Sequence, residues 1–177
     1  MTFSKTGVLL LVLMLAGCES MSVSECKVAD WARVGFNDGA AGTPQSRLAD
    51  YAEDCGKTGV TPDPRAYRQG WDAGIQSYCT PLNGWREGTK GRSGKDAVCQ
   101  GQAGYQGFAR YLDAGLQVYR TQEHMRRNDQ ETDRLQKQLD AAIKDEDKKR
   151  LREELRSIDY SQRRLRDVLV QQQMFAP

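Results

Sequence analysis

The most regular stretch of the chain is DPRAYRQGWDAGIQSYC, residues 63–79. Between Tyr67 and Tyr78 its aromatic, glycine and isoleucine residues recur every three or four positions, so they fall on one helical stripe. The dipeptide Asp63-Pro64 is typical of a helix start, because the carboxylate caps the first turn and proline fits the first helical position. We therefore expect a helix over 64–78 with its aromatic stripe in a core.

A glycine pattern extends outward from this stretch. Gly-aromatic-x-x-Gly occurs at 35–39, 70–74 and 84–88, and a looser version occurs at 104–108. Glycines four residues apart share a helix face and let another backbone approach closely. An interior glycine costs roughly 0.5–1 kcal/mol relative to alanine, so repeated glycines need a packing reason. We expect further helices over about 25–40, 44–55, 81–89 and from about 97 onward. The sequence contains no alternating pattern typical of a strand.

The N-terminus has the features of an export signal over residues 1–17. A lysine precedes a short apolar run, and small residues precede Cys18. The sequence Leu-Ala-Gly-Cys at 15–18 resembles the bacterial lipoprotein signal, in which the cysteine is acylated and becomes the new N-terminus. This resemblance implies membrane attachment through lipid on Cys18. Because Glu19 follows instead of aspartate, it implies the inner leaflet of the outer membrane, facing the periplasm. An ordinary secretory signal is the alternative.

Four cysteines remain after Cys18, namely Cys26, Cys55, Cys79 and Cys99. An even number in an oxidising compartment predicts two disulfides, with three possible connectivities. An antiparallel hairpin of the helices at 25–40 and 44–55 would favour Cys26–Cys55, which leaves Cys79–Cys99. Structural zinc sites usually contain cysteines two to four residues apart, so we expect no metal.

A change in composition near residue 120 predicts two parts after a short tether. The tether covers 18–25, a disulfide-bridged helical head covers 26–119, and a charged helical arm covers 120–177. Within the arm, a coiled-coil spacing joins Leu151, Leu155, Ile158, Gln162, Leu165 and Leu169.

The phase of the apolar pattern in the arm breaks across the charged run at 144–149. An antiparallel hairpin turning there would put Leu139 near Leu155 and Met125 near Val168. The alternative is one uninterrupted helix of about 50 residues. We favour the hairpin, so the predicted fold class is all-α, a glycine- and aromatic-rich head followed by a long helical arm.

Several of these features together resemble the domain of unknown function 2799 lipoproteins. The matching residues are the lipoprotein signal, Cys26-x4-Trp31-x3-Gly35, Asp38-Gly39, Tyr67-x2-Gly-x3-Gly-x3-Tyr-Cys79 and the charged tail. The likeness covers most of the chain after the signal. It implies a Gram-negative cell-envelope lipoprotein, and it implies no activity.

The composition narrows the function without naming it. A net charge of +2 argues against binding nucleic acid by phosphate neutralisation, and a single histidine, His124, argues against most histidine-dependent catalysis. We expect a non-enzymatic scaffold or adaptor without a cofactor. The arm would bind an envelope protein or a second copy, and the candidate binding residues are Trp85, Leu139 and Leu165.

Two other function classes stay open at this stage. The head aromatics could form a glycan- or peptidoglycan-binding module, with stacking faces on Trp31, Trp71, Trp85 and Tyr105. An enzyme would need a carboxylate pair, and the available pairs are Glu87 with Asp96 and Asp38 with Asp72. Burial of the aromatics would argue against the binding module.

Overall fold

A computed structural model describes residues 20–177 of the chain. Within these residues the fold is all-helical, as predicted. The helices are α1 (Val23–Val28), α2 (Trp31–Ala41), α3 (Arg47–Gly56), α4 (Pro64–Tyr78), α5 (Pro81–Thr89), α6 (Tyr105–Ala141) and α7 (Asp145–Gln173), with a 3-10 turn at Ala97–Cys99. None of the helices in this part of the chain combines the length and the apolar character that a membrane crossing needs.

Helix α4 forms where the opening stretch predicts it. The Asp63 carboxylate accepts hydrogen bonds from the backbone N–H groups of Arg65 and Ala66, at 2.9 and 3.1 Å. The aromatic stripe is core, since Tyr67 and Trp71 are 1% and 4% exposed. The first turn is capped and the stripe is buried, so local sequence signals and tertiary packing agree here.

The partner of α2 differs from the expected one. The helix predicted at 25–40 is broken before Asp30, which caps α2 by accepting from the N–H of Arg33 at 3.1 Å. Helix α2 then packs against α4, so the hairpin expected between 25–40 and 44–55 is wrong. The helices expected from 44 and 97 begin later, at Arg47 and Tyr105.

Glycines bring the backbones of α2 and α4 into direct contact. A Cβ atom at Gly35 would lie 2.0 Å from the Tyr67 carbonyl oxygen, and one at Gly70 would lie 1.8 Å from that of Ala32. Both distances are far below van der Waals contact, so a side chain cannot fit at either position. This complementarity of two glycine faces selects α4 as the partner of α2.

Helices α5 and α6 repeat the same arrangement. A Cβ at Gly84 would meet the Phe108 carbonyl oxygen at 2.2 Å, and one at Gly88 would meet that of Leu112 at 2.3 Å. In the first pair, the corresponding contacts join Gly35 to Tyr67 and Gly39 to Trp71. The head is therefore built from two copies of one glycine-packed helix pair.

The first helix in each pair is followed by a glycine that packs against a tyrosine ring. Gly42 after α2 and Gly91 after α5 both have positive φ, 67° and 75°. A Cβ at Gly42 would enter the ring of Tyr78, and one at Gly91 would enter the ring of Tyr119. Only glycine satisfies the left-handed backbone and the space under each tyrosine at the same time.

Each helix pair carries one disulfide. Cys26 is bonded to Cys55 and Cys79 to Cys99, with Cα–Cα distances of 5.4 and 5.6 Å. In both cases a cysteine ahead of the first helix is joined to one in the connection between the paired helices. The pairing is the favoured one, although the bridge joins α1 to α3 and not the hairpin that motivated it.

A partly buried carboxylate, Asp38 on α2, holds two tyrosines of the first pair. It accepts hydrogen bonds from the hydroxyls of Tyr67 at 2.7 Å and Tyr51 at 3.2 Å. Burial raises the pKa of Tyr67 well above its usual range, and the hydrogen bond to the Asp38 carboxylate is the second largest cause of the increase. Burial also raises the pKa of Tyr78 to about 12, with Glu87 adding to the effect.

These raised pKa values predict a loss of stability in alkali. A tyrosine whose pKa is higher when folded contributes stability below its unfolded pKa of 10.0, and that contribution is lost as the pH rises. The free energy of unfolding measured in urea should therefore fall steeply above about pH 10. Tyr67→Phe should reduce this slope, whereas Tyr160→Phe, at an exposed position, should not. Equal slopes in both variants would contradict the prediction.

The arm is an antiparallel hairpin of α6 and α7. Helix α6 has 37 residues and is about 55 Å long. The chain turns at 142–144, at the beginning of the charged run, and residues 145–147 form the acidic first turn of α7. Negative side chains there interact favourably with the positive end of the helix dipole. This interaction explains why the acidic residues form the first turn of a helix and not the loop between the two helices.

The register of the hairpin differs from the predicted one. The Asn128 amide donates to Gln162 Oε1 at 3.2 Å, so these two residues face each other. Carried along the pair, this register puts Leu139 opposite Leu151 instead of Leu155, a shift of about one helical turn. In the same register, the Met125 carbonyl oxygen accepts a hydrogen bond from the Gln162 amide at 3.4 Å.

Candidate interaction surface

The three residues proposed for binding lie apart from one another. Trp85 is on α5 in the head, whereas Leu139 and Leu165 are on the two arm helices, and all three are partly buried. Leu139 lies on the same face as the buried Leu135, so it belongs to the seam between α6 and α7. In this register Leu139 and Leu165 are separated by about 20 Å along the arm. They do not form one site.

Most of the head aromatics are part of the core. Trp31 is 9% exposed, and Trp71 donates its indole N–H to the Thr43 carbonyl oxygen at 2.7 Å. These two rings have no free face for a sugar. Among the aromatics considered for glycan stacking, only Trp85 and Tyr105 keep some exposed surface.

Of the four carboxylates considered for catalysis, Glu87, Asp38 and Asp72 accept hydrogen bonds from neighbouring side chains, whereas Asp96 precedes the 3-10 turn without a side-chain cap bond. Glu87 is 6% exposed and accepts from the Arg92 guanidinium at 3.1 Å. Asp38 holds the two tyrosines described above, and Asp72 accepts from the Gln45 amide at 3.2 Å. Within residues 20–177 no cluster of three or more histidine, cysteine or acidic side chains has the arrangement of a metal site.

The structure extends the head into the predicted tether. Cys18 lies outside the described residues, as does the whole predicted signal at 1–17. From Ser20 onward the chain is folded: its N–H and its hydroxyl both donate to Asp54 at 2.7 Å. Helix α1 begins at Val23, so the part of the expected 18–25 tether that the structure describes belongs to the head.

A polar layer interrupts the apolar seam of the arm at Gln162. Its side chain is 7% exposed and donates to Asp129 Oδ1 at 2.8 Å and to the Met125 carbonyl oxygen at 3.4 Å. Asn128 donates to the same glutamine. The hydrogen-bond partners of a buried polar residue are in reach in one register of a helix pair and not in the others. Such a residue therefore selects that register.

Replacing this glutamine should destabilise the arm. Gln162→Ala removes three hydrogen bonds and leaves a cavity, which is expected to cost about 1–2 kcal/mol. Gln138→Ala, at an exposed position on α6, should change stability by less than about 0.5 kcal/mol. Urea unfolding followed by circular dichroism measures both, and equal losses in the two variants would contradict the role of the polar layer.

A patch of exposed apolar side chains lies at the end of α7, and we call it the terminal patch. It consists of Val168, Val170, Met174 and Phe175, which are 36%, 61%, 80% and 68% exposed. Beside it, a groove of about 370 Å³ is lined by the chain end and by residues of α6, among them Tyr111, Ala114 and Gln117. Of the four, Met174 and Phe175 line this groove, and exposed apolar side chains beside a groove are typical of a protein–protein contact.

The terminal patch was not predicted, because its residues lie outside the apolar spacing that predicts the seam. Val168 and Val170 flank the seam residue Leu169, and Met174 and Phe175 follow the last seam leucine. Their signal was available: they are large apolar residues at positions that the hairpin does not use. Deciding that these positions stay uncovered required the register of the hairpin.

The fold and these surfaces define a class of protein: a head of glycine-packed, disulfide-bridged helices that continues into a helical arm. Residues 30–117 match the family model described as protein of unknown function, DUF2799, and the chain belongs to that family. The match covers α2 to α5 and the head portion of α6. No curated protein and no solved structure matched the chain significantly.

Proposed function

We propose that the protein is a lipid-anchored scaffold or adaptor of the cell envelope, without enzymatic activity, facing the periplasm from the outer membrane. The lipoprotein-like sequence at 15–18 and Glu19 support the anchor and its location. The two buried disulfides suit an oxidising compartment such as the periplasm.

The observation that carries the scaffold role is the continuity of α6. Its first turns belong to the head core, where Phe108 and Leu112 are buried, and its later turns hold Leu135 in the arm seam. One uninterrupted helix therefore couples the two parts without a flexible linker. The arm projects about 33 Å past Tyr119, which gives the head a stiff extension.

The terminal patch is the surface that we assign to a protein partner. Its side chains are the exposed large apolar residues beyond Tyr160, and two of them, Met174 and Phe175, line the groove on α6. A partner that supplies an apolar helix or loop would cover Met174 and Phe175 and fill this groove. The partner in this proposal is another envelope protein.

The anchor is tested by mass spectrometry and by flotation of cell membranes. The mature protein should carry acyl chains and float with the membranes, and Cys18→Ala should abolish both. Ser24→Ala, an exposed change near the anchor, should leave both intact. A Cys18→Ala protein that still floats, or a wild-type protein without acyl chains, would overturn the lipoprotein assignment.

The adaptor role is tested by photo-crosslinking in cells. A photo-reactive residue at Val170 or Phe175 should give a discrete adduct with another protein, whereas Leu139 and Leu165 should react only within the arm. Adducts only between copies of the chain, or none from the patch, would overturn the role. A glycan adduct from Trp85 would favour the alternative function, a glycan- or peptidoglycan-binding module that uses the partly exposed Trp85 and Tyr105.

A further inference from the structure

The chain is fixed to the head immediately after the proposed anchor. Ser20 makes two hydrogen bonds to Asp54, both at 2.7 Å. Met21 packs against the core with its sulfur 3.9 Å from Cys55 Sγ, and Cys26 is bonded to the same cysteine. Three successive attachments therefore hold residues 20–26 against α3.

The covalent geometry leaves little distance between this point and Cys18. Only two peptide units separate Cys18 from Ser20, so their Cα atoms are at most about 7 Å apart. A lipid on Cys18 lies with its glyceryl group at the membrane interface. The head surface around Ser20 would then lie within one or two side-chain lengths of the lipid headgroups.

Helix α1 presents a suitable surface at this place. With 100° between successive residues, the buried Cys26 points into the head, Ser24 and Val28 lie on the opposite side of α1, Lys27 lies between the two sides, and Val23 flanks Cys26. Val23 and Val28 are 49% and 78% exposed. The nearby carboxylates are engaged, since Glu25 accepts from Ser22 and Asp54 accepts from Ser20 and Lys57.

We propose that this outer side of α1 rests on the lipid bilayer, with Val28 at the level of the headgroups and Lys27 near lipid phosphates. The contact fixes the orientation of the head relative to the membrane. The proposal rests on the lipidation of Cys18, because one valine and one lysine are too small a surface to hold a protein on a membrane alone. The short distance to Cys18 and the exposed Val28 belong to the same short segment, residues 20–28.

The test measures the depth of a tryptophan placed on α1. Val28→Trp and, as a matched control on the head, Leu82→Trp are purified with their lipid and reconstituted in vesicles of phosphatidylethanolamine and phosphatidylglycerol. Leu82 is 47% exposed and lies at the start of α5. The vesicles are prepared with and without bromine on the acyl chains, and the fluorescence of the parent protein is subtracted.

Bromine should quench Val28→Trp several-fold more than Leu82→Trp. Ten glycine and serine residues inserted between Glu19 and Ser20 should abolish the difference, because they release the head from the interface. Equal quenching in the two variants would overturn the proposal, as would protection of Val28→Trp from acrylamide without quenching by bromine, which would mean that protein covers α1. The separate flotation of the Cys18 variants shows whether the anchor itself is the part that fails.

Discussion

Alanine at Gly70 is expected to unfold the head. The new Cβ would lie 1.8 Å from the Ala32 carbonyl oxygen and 2.9 Å from the backbone nitrogen of Phe36. Both neighbours are backbone atoms of α2, so no rotamer change can relieve the clash and the two helices must separate. Separation also breaks the contacts at Gly35 and Gly74, and we expect a loss of more than about 3 kcal/mol. Urea unfolding followed by tryptophan fluorescence measures it.

Gly56→Ala is the matched control for this prediction. Gly56 is also helical, at the end of α3, and nothing lies within 4 Å of the position that its Cβ would occupy. Alanine there should be neutral or should stabilise by up to about 1 kcal/mol, because it restricts the unfolded chain. If Gly70→Ala unfolds at the same urea concentration as Gly56→Ala, the backbone contact between α2 and α4 is not essential.

Removing either disulfide should be the next most damaging change. Cys26–Cys55 and Cys79–Cys99 close loops with sequence separations of 29 and 20, so each loss is expected to cost about 3–4 kcal/mol through the entropy of the unfolded chain. The paired change Cys26→Ser with Cys55→Ser should also loosen the segment from Ser20 to Val28, since this disulfide joins α1 to α3. Thermal unfolding of each double variant measures the cost.

The second disulfide provides the comparison. Cys79→Ser with Cys99→Ser should destabilise the head to a similar degree, but it should leave hydrogen exchange in α1 unchanged. If protection in α1 falls equally in both double variants, the two helix pairs do not keep the separate attachments that the structure gives them.

The local elements of this protein were readable because their signals lie close together in the chain. The caps of α4 and α5, at Asp63 and Thr80, depend on a side chain and an N–H two or three residues later. The stripe from Tyr67 to Tyr78 depends on helical periodicity alone. Such features need no knowledge of the rest of the fold, so α4 and α5 have the predicted bounds.

The pairing of helices required information that periodicity does not contain. The sequence marks a glycine face on 35–39 and another on 70–74, but it does not say which faces meet. Adjacency in the chain suggested α3 as the partner of α2, and it failed because α3 lacks a glycine face. The repeat of the α2–α4 contacts in α5–α6 becomes visible only from distances between carbonyl oxygens and Cβ positions.

The arm shows the same division between local and tertiary information. The apolar spacing from Leu151 to Leu169 predicts a seam and a hairpin, both of which are present. The position of the turn set the register, and the sequence placed it a few residues too late. That error of about one turn moves every facing pair, and it also decides which apolar residues of α7 remain uncovered.

Sequence signals alone were enough to predict α4 and α5, the cysteines of the two disulfides, the glycine faces, the charged arm and the family. Tertiary structure alone decided that α2 meets α4, that Gln162 faces Asn128, that the terminal patch is exposed, and that the chain is fixed from Ser20 onward. The two kinds of feature differ because the interactions behind them act over different distances along the chain. Caps and periodicity act within one or two helical turns, whereas helix pairing and exposure depend on the fit of surfaces far apart in the chain.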